Sequence, residues 1–142
     1  MNEGINIKFK DLPEITQTEL KTNNLKYIEG RAFGDYIIYL CFDKFRDVNC
    51  NLITKGDKLF GNQDKKTPTK YNIGNLKQAI RLASVDWARK YRKILYGSEC
   101  YEKIALYHRY AKYFVKKYNH GYVTDIKVHP FYKVHYFVGV HN

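Results

Sequence analysis

Two stretches of helical period, residues 75–96 and 98–118, separated by the single residue Gly97, constrain this chain more than any other feature. At about 100° per residue, Leu76, Ala79, Ile80, Ala83, Trp87, Tyr91 and Ile94 share one face of the first stretch. Lys77, Arg81, Arg89, Arg92 and Lys93 spread over its other side. Asn75 fits an N-cap, with Gln78 completing a capping-box pattern, and Gly97 fits the left-handed residue that closes a helix. In the second stretch Cys100, Ile104, Tyr107, Ala111, Phe114, Val115 and Tyr118 form the apolar face. Ser98 fits its cap, Glu99 and Glu102 suit its first turn, and Lys112, Lys116 and Lys117 suit its last. Gly121 would stop it. A connection this short predicts antiparallel neighbours.

The remainder reads as β. Ile5, Ile7 and Phe9 alternate with polar residues, whereas 15–24 fits either a helical turn or a loop ending at Asn23-Asn24. Residues 25–33 and 36–42 predict two strands around Gly34-Asp35, a fitting two-residue hairpin loop because Gly supplies the positive φ. The second of these, YIIYLCF, is apolar on both faces and so belongs in the middle of a sheet. A further hairpin is expected over 49–60, turning at Lys55-Gly56-Asp57, followed by a polar connector over 61–74 that carries Lys65, Lys66 and Lys70. At the C-terminus 124–128 and 133–140 alternate around a turn at 129–132. With no repeat and no linker, the expectation is one α+β domain over 1–142. It comprises N-terminal strands (5–60), the helical pair (75–118) and a terminal hairpin (122–140), a mostly antiparallel sheet on an antiparallel pair of long helices.

The formal charge of +11 favours polyanionic partners. An AT-rich coding sequence also enriches Lys, and Lys outnumbers Arg 19 to 6, yet such bias would have brought in more Glu than the 6 present. The start, MNEGINIKFKD, has no apolar signal-peptide core, and the longest apolar run is far short of a membrane span. A cytoplasmic protein with reduced thiols and no membrane contact is expected, its three cysteines forming no CxxC pair.

Candidate functional residues fall into two sets. Arg81, Arg89, Arg92, Lys93, Arg109, Tyr110, Lys112, Tyr113, Lys116 and Lys117 lie off the apolar helical faces, where cations neutralise phosphates and rings offer stacking surfaces. His129, His135 and His141 cluster near the C-terminus beside Lys133, and a proton-transfer group next to a cation is what metal-free RNA cleavage needs. The closing stretch KVHYFVGVHN is similar to the last strand of RelE/HigB-type toxin ribonucleases, over about ten residues and without a diagnostic motif. That resemblance implies a small basic α+β ribonuclease using such histidines.

No zinc spacing, P-loop, GxGxxG, deaminase signature, GxSxG or paired carboxylates occur, so neither metal nor cofactor is expected. The leading expectation is a non-enzymatic protein binding DNA, RNA or a nucleoprotein, of the kind phages and mobile elements carry. The alternatives are an inhibitor docking on a host nucleic-acid enzyme through exposed tyrosines, and the toxin-like ribonuclease.

Overall fold

The computed structural model describes residues 4–54, 72–129 and 133–141. Its eight strands form one mostly antiparallel sheet. In chain order these are β1 (Ile5–Ile7), β2 (Lys26–Phe33), β3 (Tyr36–Phe42), β4 (Val48–Thr54), β5 (Lys93–Ser98), β6 (Gly121–Val123), β7 (Lys127–Val128) and β8 (Val134–Val140). The spatial order is β1-β2-β3-β4-β5-β8-β6, with β7 also paired to β8. Every pairing is antiparallel except β4 with β5. That parallel pairing welds an N-terminal meander to a C-terminal group of strands.

β3 sits centrally and buries both faces. Tyr36, Ile38 and Leu40 enter the main core, while Ile37, Tyr39 and Cys41 enter a second core on the opposite side. The Gly34-Asp35 loop joins it to β2 with Gly34 at φ +60°. Helix α1 (Glu14–Thr22) covers the second core, with Leu20 fully buried beneath it. The next hairpin turns at Asp43–Asp47. The Asp43 carboxylate accepts the Phe45 and Asp47 amides at 2.8 and 3.0 Å, and Arg46 takes a positive φ. Thus β4 is the partner of β3, and the expected turn at 55–57 lies outside the described residues, as do 61–71 of the connector and most of the 129–132 turn.

The expected helical pair is corrected in several respects. The first helix comprises α2 (Ile73–Arg81), a π-helical segment Leu82–Trp87, and α3 (Ala88–Tyr91), 19 residues in all. It begins after Asn72, not Asn75, and ends at Arg92 rather than Gly97. Arg92 takes φ +74°, and Lys93 to Ser98 are β5. Gly97 is a strand residue opposite His135. The second helix, α4 (Tyr101–Tyr118), follows Cys100, whose amide donates to Ser98 Oγ at 3.0 Å, and it ends on the left-handed Asn119 instead of Gly121.

A strand between two helices reverses the chain twice, so the helices run the same way. Lys77 meets Tyr110 and Arg89 meets Tyr118, contacts whose numbers ascend together. Both helices pack on one sheet face, with Trp87, Ile80, Ile104, Ala111 and Phe114 in the core against Tyr96, Tyr136 and Val138. The expected terminal hairpin is partly present: β8 is as predicted, but its partners are β6 and the two-residue β7, with 124–126 outside both strands.

Candidate nucleic-acid interface

Core packing claims many of the tyrosines. Tyr36, Tyr39, Tyr96, Tyr107 and Tyr136 are buried, and Tyr96 stacks on its cross-strand partner Tyr136 with centroids 4.9 Å apart. Of the exposed tyrosines, Tyr101, Tyr113 and Tyr118 are on α4 and Tyr122 is on β6. On α4, Arg109, Lys112, Tyr113, Lys116 and Lys117 are exposed, Tyr113 to 57%, and Tyr110 is half-buried.

These side chains form two interleaved groups. Lys117 Nζ lies 5.9 Å from the ring centres of both Tyr113 and Tyr118, and Arg89 lies 5.9 Å from that of Tyr118. Nearer the start of α4, Lys77 and Arg109 flank Tyr110 at 5.5 and 5.7 Å. Contacts of this kind hold long cationic side chains against rings while leaving their charges in water. Lys77 and Tyr118 therefore belong to the surface as well. Their membership depends on how the two helices pack, which spacing within one helix does not reveal.

Three of the expected residues lie elsewhere. Arg81 borders a cleft of about 270 Å³ between β2 and the first helix, lined also by Glu29, Arg31, Asp86, Trp87 and Lys90. Within it Glu29 accepts bonds from Tyr91 and, at 2.9 Å, from Lys90. Burial works to raise the Glu29 pKa, but those bonds outweigh it and hold the carboxyl below its ordinary value. Arg92 sits at the helix-to-strand turn, its guanidinium 3.5 Å from the His141 carbonyl. Lys93 is on β5, facing away from the helices with its ammonium 4.3 Å over Phe137.

Of the three C-terminal histidines, the structure brings two together. His135 lies cross-strand from Lys127, and its pKa is lowered first by burial and then by the charges of Lys127 and His129. His141 is beyond the other end of β8, beside Tyr122. Six residues of strand put it roughly 20 Å from His135, too far to share one reacting phosphate. His108 and His120, by contrast, serve the fold: His108 Nε2 meets the Thr124 carbonyl at 2.8 Å, and His120 Nε2 meets that of Ser84 at 3.0 Å.

Cys41 and Cys50 are buried and free, and burial raises both thiols, Cys41 to about 12. Neither is poised as a thiolate nucleophile. Among the described residues no three His, Cys, Asp or Glu side chains converge to hold a metal ion, and no helix is long and apolar enough to cross a membrane. Compared with protein-family models, curated proteins and solved structures, the chain has no significant match.

Proposed function

We propose that this protein binds nucleic acid inside the cell, with the outer face of α4 taking the phosphate backbone. The observation that carries the reading is a charge pattern on an exposed surface: Arg109, Lys112, Lys116 and Lys117 face solvent on α4, and no acidic residue occurs from 103 to 124. Like charges four apart, such as Lys112 and Lys116, destabilise a helix by roughly 0.2–0.5 kcal/mol per pair. A polyanion relieves that repulsion and gains the entropy of released counterions. The interleaved Tyr113 and Tyr118 rings add contact area without altering the charge.

The test is a titration with labelled duplex DNA, RNA and single strands at two salt concentrations. Affinity should fall steeply as salt rises, and replacing Arg109, Lys112 and Lys116 with Glu should abolish duplex binding in a protein that still folds. Retained affinity in that variant would overturn the assignment of this face.

A second reading, RNA cleavage, draws on His129, Lys127 and His135 converging at one end of β8. An imidazole beside the Lys127 ammonium suits proton abstraction from a 2′-hydroxyl and stabilisation of the resulting charge. If His135→Ala leaves any RNA-cleaving activity of the purified protein unchanged, this reading is lost.

A further inference from the structure

The C-terminal half of the sheet is finished differently on its two sides. Ile94, Tyr96, Tyr136 and Val138 enter the core beneath the helices. Alternation along β5 and β8 turns Leu95, Gly97, Phe137 and Gly139 the other way. Leu95 and Phe137 are direct cross-strand partners, only partly buried, and belong to neither core cluster. Helix α1 covers the same side of the N-terminal half, but its cluster includes no residue of β5, β6, β7 or β8.

Two glycines keep this side low. Tyr122 is the cross-strand partner of Gly139, and a Cβ at Gly139 would come within 2.4 Å of the tyrosine ring. The Tyr122 ring therefore lies across the glycine, 41% exposed, with the His141 ring 6.0 Å away. A Cβ at Gly97 would meet nothing nearer than 3.8 Å, so the floor beside His135 is also shallow.

The charge here is of one sign. Lys93 stands over Phe137, Lys127 stands beside His135, and Lys133 is exposed at the start of β8. None of β5, β6, β7 or β8 contains an acidic residue; the acids nearest in sequence are Glu99, just after β5, and Asp125, in the loop between β6 and β7. The pKa of His135 is lowered first by burial and then by its neighbours Lys127 and His129.

We propose that this face, which no described helix covers, is a second binding surface that takes single-stranded nucleic acid, its bases stacking on Tyr122 and Phe137 and its phosphates reaching Lys93 and Lys127. Flat rings on an open sheet with flanking cations match an unpaired strand, which offers base faces and phosphates together. A duplex hides its base faces, and a second copy of this chain would bring like charge against like. The Lys93 ammonium resting on Phe137 is held by an exposed cation–π contact, which a phosphate can draw aside.

This inference does not depend on the helical face, because the two surfaces lie on opposite sides of the sheet. The experiment is fluorescence anisotropy with labelled RNA and DNA single strands of about 12 nucleotides, a length within known single-strand site sizes, and with matched duplexes. Phe137→Ala and Tyr122→Ala should each weaken single-strand binding about tenfold, as loss of one stacked base does, and leave duplex binding unchanged. Gly97→Val removes no side chain and its Cβ has room in the fold, yet it raises the floor and should weaken the same binding. The RNA and DNA arms show whether the 2′-hydroxyl contributes. Single-strand affinity within twofold of wild type in Phe137→Ala and Gly97→Val would overturn the proposal. So would sedimentation showing that Phe137→Ala only breaks a dimer. Loss of duplex binding in the α4 variant, with single-strand binding retained, would separate the two faces.

Discussion

His120 Nε2 lies 3.0 Å from the carbonyl oxygen of Ser84, in the middle of the first helix. Ala88, whose amide would bond Ser84 in a regular α-helix, bonds Ala83 and Val85 instead. The π-helical segment thus frees one carbonyl, and the turn after α4 supplies its donor, a side chain inserted into the helical ladder. The bond requires His120 to carry its proton on Nε2. His120→Ala should then leave a buried acceptor unmet and lower stability by about 1–3 kcal/mol, read from urea unfolding. A near-neutral result would mean that the π-helical segment does not need this donor.

Trp87 closes that segment at 3% exposure, packed in the main core and bordering the cleft beneath β2. Trp87→Ala should cost roughly 3–5 kcal/mol, as other large-to-small core substitutions do. Because it is the one tryptophan, its emission should be blue-shifted in the native protein and move to the red across the transition that circular dichroism records. A cost below about 1 kcal/mol would contradict its burial.

The burial of Trp87 was legible because its stripe, from Leu76 to Trp87, has an unbroken helical period. The same stripe misleads at its end. Ile94 falls at helical spacing from Trp87 and Tyr91, yet KILYGS also alternates, and tertiary pairing with β8 decides for the strand. The stop signal at Arg92 was invisible, since a non-glycine residue takes the positive φ there. Once 93–98 became a strand, the expected antiparallel helices became parallel, and Lys93 moved from the helical surface to the far side of the sheet. Helix α1 was hard to see because its buried stripe contains Thr16 and is only nine residues long. On α4 the exposed cations were legible, as helical period alone fixes which residues face outward. Tyr122 and Phe137 were not: they meet on one face only through strand pairings far apart in sequence.

His135 gives the protein a defined pH response. Burial, then the charges of Lys127 and His129, lower its pKa in the folded state, while the unfolded chain restores the ordinary value near 6.5. Just below pH 6.5 the unfolded state therefore binds more protons, and His135 makes stability fall as pH drops. Stability from urea unfolding should decline less between pH 7 and 5 in His135→Gln than in wild type. Ligand binding should carry the opposite sign. A phosphate on the sheet face offsets the positive neighbours and favours the protonated imidazole, so binding takes up a proton there. Single-strand affinity should therefore strengthen from pH 7.5 to 5.5, and more so in wild type than in His135→Gln. Parallel pH profiles for the two proteins would show that no phosphate comes close to His135.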